Sequence, residues 1–258
     1  MNGGSGITEI PAGILRKTSL VDYPGHVSCV FFLRGCNLRC PYCYNAPLVT
    51  DGENDLRKYA GAEFLSPSGL ADFLRSRRNV LPALVLSGGE PLLHPALPLI
   101  IRTAKSLGYL IKLDTNGTVP DRLARFVADS SLRPDFVAMD IKTSPDRYWT
   151  ELSGKQDDNG TEKGFFRSAL AKSAEMLESE YPPDCREFRT VLVPGLVERD
   201  DIKAISEIIS DGSPWKFAAF VPGECLDSRY NGIRAYTDQE AAGLVRYAAS
   251  LVPGAEMR

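Results

Sequence analysis

The stretch "RGCNLRCPYCYN", residues 34–45, directly follows the apolar run "VSCVFFL" of residues 27–33. It places Cys36, Cys40 and Cys43 in a C-x3-C-x2-C pattern. Glycine, asparagine, arginine and proline surround them, which is the composition of a loop and not of a core. Three thiolates are one short of the four that usually close a tetrahedral metal site or hold a [4Fe–4S] cluster. The pattern therefore predicts a metal-binding loop with one open position.

Five further apolar runs match the one before the cysteine loop in length and character. They cover residues 83–87, 110–114, 136–141, 188–193 and 217–221. Amphipathic segments with helix start and stop signals alternate with them, at residues 66–80, 94–108, 119–130, 163–180, 199–212 and 238–252. Short strands that alternate with helices predict βα units and a parallel sheet. Right-handed crossovers then give either an open doubly wound sheet or a barrel, complete or partial.

Polar and glycine-rich segments follow the predicted strands at the points where each strand ends. They are "SGGEP" (87–91), "DTNG" (114–117), "DIKT" (140–143) and two copies of "VPG" (193–195 and 221–223). In parallel α/β folds the active-site groups lie on the loops after the carboxyl ends of the strands. These segments and the cysteine loop are therefore expected to converge on one composite site.

Charge and composition exclude several classes of protein. The net charge is −3, from 30 basic and 33 acidic residues, which gives no electrostatic case for a nucleic-acid partner. No apolar run approaches the roughly 18 residues that a membrane span needs. Residues 1–12 lack the features of a secretory signal and are expected to form a flexible tail. We expect a cytoplasmic protein, in which clustered cysteines indicate a metal site and not disulfides.

The cysteine pattern, with Tyr42 before the third cysteine, resembles the signature of the radical S-adenosylmethionine enzymes. The resemblance implies a partial (β/α)6 TIM-like barrel of parallel strands, with the cluster in the loop after the first strand. It implies that Cys36, Cys40 and Cys43 ligate three irons of a [4Fe–4S] cluster, and that S-adenosylmethionine chelates the fourth. One electron from the cluster would then cleave the cofactor to methionine and a 5′-deoxyadenosyl radical.

The same resemblance assigns roles to residues in the other strand-end segments. Asp140 and Lys142 would act beside the cysteines at the reaction centre. The residues implied to bind S-adenosylmethionine are Tyr42, Asn45, Ser87, Gly88, Gly89, Glu90, Asp114, Thr115 and Asn116. Glu90 would accept the methionyl ammonium, and the two glycines would let the backbone approach a ligand.

The resemblance further implies that Asp114 and Asp140 help to hold a monovalent cation by the cofactor. Some of these residues also have simpler interpretations. Asp114 and Asn116 could instead be ordinary turn residues, and Lys142 could be half of an ion pair with Asp140.

Longer segments narrow the resemblance to the activating proteins of anaerobic ribonucleoside-triphosphate reductases. They are "LVDYPGHVSCVFFLRGCNLRCPYCYN", "FRTVLVPGL" and "FVPGECLD", and the resemblance treats residues 13–258 as one radical S-adenosylmethionine domain. It implies a glycyl-radical enzyme as partner and a flavodoxin or ferredoxin as electron donor. Tyr44 departs from the pattern, because glycyl-radical activators usually have histidine there.

Two alternatives stay open on the sequence. The first keeps the radical chemistry but gives it a small-molecule substrate or another protein client, such as one of the pyruvate formate-lyase type. The second is a non-catalytic iron–sulfur or zinc protein. A zinc site would need a fourth ligand, for which His26 and His94 are the available histidines.

Overall fold

The computed structural model describes residues 8–49, 64–154 and 163–258 of the chain. They form two compact units. The first unit holds residues 8–37, 47–49, 64–115 and 122–136, and the second holds residues 38–46, 116–121, 137–154 and 163–258. The greater part of the predicted N-terminal tail, residues 1–7, lies outside the described residues.

The first unit is built on strands that pair in the order β3-β1-β2-β4-β5. Their bounds are β1 Gly13–Tyr23, β2 His26–Leu33, β3 Phe64–Leu65, β4 Ala83–Gly88 and β5 Leu110–Thr115. Strands β2, β4 and β5 are parallel, whereas β1 is antiparallel to both β2 and β3. The turn between β1 and β2 is Pro24-Gly25, and Gly25 has the positive φ, +74°, that such a turn requires.

The second unit carries four strands in the order β6-β7-β8-β9, and all of their pairings are parallel. Their bounds are β6 Phe136–Asp140, β7 Arg186–Leu192, β8 Trp215–Ala219 and β9 Ala255–Met257. Phe188, Trp215 and Phe217 are fully buried and supply the bulk of this sheet's packing. Strand β6 is buried over its first four residues and appears in the sequence as a continuous apolar run, whereas β7 and β8 include charged residues.

Six helices of eight or more residues connect the strands in the described chain. They are α1 Pro67–Arg77, α2 Leu97–Ser106, α3 Pro120–Ala128, α4 Lys163–Glu180, α5 Arg199–Ser206 and α6 Asp238–Leu251. Ser66 caps α1 by accepting a hydrogen bond from the Gly69 backbone, and Thr237 with Glu240 forms a capping box on α6. None of the helices in the described residues combines the length and apolar character that crossing a bilayer requires.

The α/β class and the six predicted strands are confirmed, and the mostly parallel pairing is consistent with a partial TIM-like barrel. The sequence analysis missed β1, β3 and β9. Strand β1 leaves much of its length exposed and carries charges, so it lacks an apolar run. Strands β3 and β9 are only two and three residues long.

Candidate active site

The predicted site residues are divided between the two units. The first unit contains Cys36, Ser87, Gly88, Gly89, Glu90, Asp114 and Thr115. The second unit contains Cys40, Tyr42, Cys43, Asn45, Asn116, Asp140 and Lys142. Within each unit the structure shows which of these side chains are in contact.

The cysteine loop begins directly after β2, as the sequence predicts. All six cysteines of the chain lie in the described residues, where each is a thiol and none forms a disulfide. Cys40 is buried, while Cys36 and Cys43 are half-buried. The Cys43 backbone N–H donates to the Cys40 carbonyl at 3.0 Å, which closes a tight turn between these two cysteines. This donor set fits an iron–sulfur cluster, because thiolates are the ligands that such clusters take.

A separate question is whether side chains come together as a site for a metal ion. In the described part of the chain, no group of three or more histidine, cysteine, aspartate or glutamate side chains is placed to hold one. The His94 Nδ1 accepts a hydrogen bond from the Ala96 backbone at 3.2 Å, and the His26 ring packs edge-on against Tyr23.

The two glycines of "SGGEP" serve backbone packing in this structure. A Cβ on Gly88 would collide with the Leu33 backbone at the end of β2, and one on Gly89 would collide with the Gly35 carbonyl. The Glu90 N–H donates to that same carbonyl at 2.8 Å. The glycines therefore let the end of β4 lie against the start of the cysteine loop. Ser87 pairs with Phe32 in the same ladder and is half-buried.

Glu90 is fully buried and connects two of the predicted segments. Its Oε1 accepts hydrogen bonds from the Leu92 backbone at 3.1 Å and from the Thr115 hydroxyl at 3.0 Å. Thr115 is itself buried at the end of β5. The carboxylate is thus held in one orientation by a turn on its own segment and by the next strand end.

Two polar side chains of "DTNG", those of Asp114 and Asn116, accept hydrogen bonds from different kinds of partner. The Asp114 Oδ1 accepts from the Lys112 Nζ at 2.8 Å. The Asn116 Oδ1 accepts from both the backbone N–H and the hydroxyl of Thr118, at 3.0 and 2.6 Å, so Asn116 makes the side-chain turn that such residues favour.

"DIKT" presents a charged cluster at the end of β6. The Asp140 Oδ2 lies 3.1 Å from the Lys142 Nζ, and its Oδ1 accepts from the Arg189 Nε at 2.7 Å. Burial alone would raise the pKa of Asp140, but Arg189 and Lys142 outweigh it and hold that pKa well below the ordinary value. Burial likewise opposes charge on Lys142, yet Asp140, with a smaller contribution from Cys40, raises its pKa.

Sequence reasoning missed Arg189. It pairs directly with Asp140 in the β6–β7 ladder. A signal was present, because an arginine inside the apolar run "FRTVLV" must meet a charge or a ligand if its strand is buried. Its guanidinium and the Lys142 ammonium are both in contact with the Asp140 carboxylate.

The tyrosines beside the third cysteine have different environments. Tyr42 is buried edge-on against Phe220, and its hydroxyl has no hydrogen-bond partner within the described residues. Tyr44 is half-exposed and stacks on the same Phe220 ring at 6.1 Å between centroids. Its hydroxyl donates to the Val221 carbonyl at 2.8 Å and accepts from the Val221 N–H at 3.0 Å.

The segment after β8 lies along the cysteine loop, a contact that the sequence analysis did not predict. The Leu226 N–H donates to the Cys43 carbonyl at 3.1 Å, and the Asp227 N–H donates to the Pro41 carbonyl at 2.9 Å. The Asn45 backbone hydrogen-bonds to Cys43, which opposes the effect of burial in raising the pKa of that thiol. Backbone from two parts of the second unit therefore fixes the third cysteine.

Comparison with known proteins finds a relative that is similar to this chain over nearly its whole length. A protein of Methanocaldococcus jannaschii, provisionally named as a glycyl-radical enzyme activating enzyme, is 29% identical over 241 residues, 93% of this chain and 92% of that protein. The pyruvate formate-lyase-activating enzyme of Clostridium pasteurianum is 27% identical over 203 residues, 76% of this chain and 75% of that protein. A shorter match, 35% identical over 118 residues, covers 44% of this chain and 45% of the 7-carboxy-7-deazaguanine synthase of Aquifex aeolicus.

Residues 30–208 match the radical SAM superfamily, whose members use a [4Fe–4S] cluster and S-adenosylmethionine. The matched range includes the cysteine loop and the segments "SGGEP", "DTNG" and "DIKT". The resemblance found in the sequence is thereby confirmed at the level of the superfamily and of the activating type. This chain is an enzyme and belongs to the radical SAM superfamily.

Proposed function

We propose that the protein activates a glycyl-radical enzyme, and that its partner is an anaerobic ribonucleoside-triphosphate reductase. The observation that carries the activase assignment is the likeness to the Methanocaldococcus protein, which extends over 93% of this chain and 92% of that one. The choice of client is supported by the segments "FRTVLVPGL" and "FVPGECLD", which resemble those of the activating proteins for this reductase. A reduced flavodoxin or ferredoxin would supply the electron.

In this proposal Cys36, Cys40 and Cys43 hold the cluster, and the strand-end segments bind S-adenosylmethionine. When bound, the cluster and cofactor together supply a 5′-deoxyadenosyl radical, which would remove a Cα hydrogen from a glycine of the partner. The chemistry belongs to these groups, and the chain contributes binding, orientation and exclusion of water.

The described side chains suit those tasks. The Glu90 carboxylate is buried and fixed by two hydrogen bonds, so it is pre-oriented to accept the ammonium of an amino acid. The Lys142 and Arg189 cations flank Asp140 and could orient an anionic or hydroxyl-bearing part of the cofactor.

The test begins with anaerobic reconstitution, reduction and addition of S-adenosylmethionine. We expect 5′-deoxyadenosine to form, and a glycyl-radical signal in electron paramagnetic resonance to appear when an anaerobic ribonucleotide reductase is added. A pyruvate formate-lyase serves as the comparison client. A radical on the lyase alone would overturn the choice of client, and cofactor cleavage without a radical on either protein would favour a small-molecule substrate.

A further inference from the structure

The first unit contains a cavity of about 320 Å³ that no proposed cofactor-binding residue lines. It lies between the segment that follows β4 and the helix α3, and all of its lining residues belong to this unit. Its apolar wall consists of two prolines near the start of α2 and the buried side chains of Leu92, Phe126 and Leu132. Its polar groups are those of His94, Arg122 and Arg125. An apolar wall with a few polar groups, in a volume of this size, is typical of a site for a small organic group.

Arg122 is held at this cavity by the backbone of the chain. Its Nη1 donates to the Leu92 carbonyl at 3.0 Å and to the Leu93 carbonyl at 3.4 Å. Within the described residues its Nε and Nη2 make no hydrogen bond, and these two nitrogens form the edge of the guanidinium that can bind both oxygens of a carboxylate. Because the side chain is already fixed, an anion that binds there would cost little further loss of side-chain freedom.

Arg125 gives the cavity a second positive charge. It lies three residues after Arg122 on the same face of α3, a spacing at which like charges destabilise a helix. In the described chain no aspartate or glutamate lines the cavity, and Asp129, one turn beyond Arg125, accepts instead from Arg102 and Ser131. The cavity therefore carries an excess of positive charge that an anion would compensate.

His94 adds a hydrogen-bond donor to the same cavity. Its Nδ1 accepts from the Ala96 backbone at 3.2 Å, so Nε2 carries the hydrogen of the neutral ring. Burial, with a smaller effect of Arg34, lowers the pKa of His94, so the ring is neutral at pH 7. The positive charge of the cavity thus comes from the two arginines.

We propose that this cavity binds a carboxylate joined to an apolar group, with both oxygens on the Arg122 guanidinium and the apolar group against Phe126 and Leu132. The Leu92 backbone N–H also donates to Glu90, so the ligand would lie next to the segment that holds that carboxylate. Two sources share this chemistry, a small organic acid and a peptide in which a glutamate follows an aromatic residue. The residues of the cavity have no part in the proposed function, so the two proposals can fail separately.

The experiment titrates the reconstituted holoenzyme, with its cluster oxidised, and follows the imidazole signals by nuclear magnetic resonance. The chain has two histidines, and His26, which does not line the cavity, is the internal reference. The probes are 3-phenylpropionate, the capped dipeptide acetyl-Phe-Glu-amide, the neutral 3-phenylpropanol and inorganic phosphate. We expect 3-phenylpropionate to shift the His94 signals with a dissociation constant on the order of 1 mM, and to leave those of His26 in place.

The probes also separate the two sources and the two parts of the ligand. Tighter binding of the dipeptide would identify a peptide, and tighter binding of 3-phenylpropionate would identify a small acid. The neutral alcohol should bind roughly tenfold more weakly or less, because it lacks the charge that the arginines meet. The proposal is overturned if no carboxylate probe shifts His94, if the alcohol binds as tightly as the acid, or if inorganic phosphate does.

Substitutions test the assignment to Arg122. Arg122→Met should weaken the binding of 3-phenylpropionate about tenfold or more, and Arg122→Lys should recover only part of it, because an ammonium keeps the charge without the paired donors. Arg78→Met, at an exposed position beyond the end of α1, is the matched control and should bind like the wild type. Equal affinities in Arg122→Met and Arg78→Met would overturn the assignment.

A second variant keeps the test decisive if Arg122→Met does not fold. Arg125 is exposed, so Arg125→Met should fold, and it should weaken binding about threefold by removing one charge from the cavity. An unchanged affinity in Arg125→Met, in a protein that lacks a folded Arg122→Met, would count against the proposal. The signals of His94 do not depend on cofactor cleavage, so the result stands whether or not the proposed function does.

Discussion

At the scale of the residue, Arg189 and Gly89 show how one side chain, or the absence of one, determines the packing of the candidate site. Arg189 makes a charged hydrogen bond to Asp140 of 2.7 Å, and both side chains are mostly buried. Gly89 lies where any side chain would meet the Gly35 carbonyl. Each position gives a prediction about stability that can be measured without the partner enzyme.

Replacing Arg189 by Met should lower the free energy of unfolding by about 1–3 kcal/mol at pH 7, because Asp140 would keep only Lys142. The pKa of Asp140 is held below its ordinary value, so this stabilisation is present at neutral pH and is lost as the pH falls below about 4. The difference between wild type and variant should therefore shrink on acidification. Urea unfolding at several pH values measures it.

The control for Arg189→Met is Arg102→Met, which removes the solvent-exposed contact with Asp129. Exposed ion pairs contribute little, so its unfolding midpoint should stay near that of the wild type. An equal loss in both variants, or a difference that does not change with pH, would contradict the role assigned to Arg189.

Replacing Gly89 by Ala should destabilise the protein by about 3 kcal/mol and reduce the iron it binds on reconstitution, since the added methyl group separates β4 from the cysteine loop. The matched control is Gly243→Ala within α6, where an added Cβ would meet only the Arg246 side chain, at an ordinary contact distance of 3.9 Å. That change should stabilise the protein by about 0.5–1 kcal/mol. Unfolding curves and iron content check both, and normal iron binding by a stable Gly89→Ala variant would refute the packing argument.

At the scale of the element, the segment after β8 is tied to the cysteine loop through both backbone and side chain. Leu226 and Asp227 donate to carbonyls of the loop, and the Tyr44 hydroxyl makes two hydrogen bonds to Val221. Tyr44 therefore has a structural function at the position where related activators usually have histidine.

Tyr44→Phe should keep the stacking on Phe220 but remove both hydrogen bonds to Val221. Since Val221 is exposed and water can replace the lost contacts, we expect a loss of only about 0.5–1.5 kcal/mol. Amide hydrogen exchange at Val221 should become faster, whereas exchange in α6 should not change. Tyr247→Phe, whose ring lies against the Arg199 guanidinium, is the control. Unchanged exchange at Val221 would show that the hydroxyl does not hold this segment.

Strand β1 shows which elements the sequence could not predict. The six confirmed strands are mostly buried and rich in apolar residues, so composition identified them even where Lys112 or Arg189 interrupts the run. In β1, Leu20 and Val21 are exposed while Ser19 is buried, and the register with β2 shifts between Arg16 and Ser19. Because the pairing shifts, apolar and polar side chains do not alternate regularly along β1. Its burial pattern depends on the register with β2, which the sequence of β1 does not reveal.

At the scale of the whole molecule, the strand-end segments were located correctly, but the contacts within them were only partly predictable. The pairing of Asp140 with Lys142 was foreseen as an alternative and is observed. The contact of Arg189 was not foreseen, because the sequence does not show which strands are neighbours, and the contact of Lys112 was missed although Asp114 lies two residues further along the same strand. The glycines of "SGGEP" allow the backbone of β4 to lie against the cysteine loop, and their approach to a ligand stays a prediction.

The cysteine loop gives the last prediction, because a ligand that binds only the folded chain must stabilise it. If Cys36, Cys40 and Cys43 hold the cluster, the reconstituted protein should melt roughly 5–10 °C above the apoprotein, as expected for a ligand bound far above its dissociation constant. Replacing all three cysteines by alanine should abolish that difference and leave the apoprotein's melting temperature within a few degrees. Cys185→Ser, at a half-buried cysteine outside the cysteine loop, is the control and should keep the full shift. Anaerobic calorimetry with iron and sulfide analysis decides the matter, and a shift that survives in the triple variant would place the iron elsewhere in the chain.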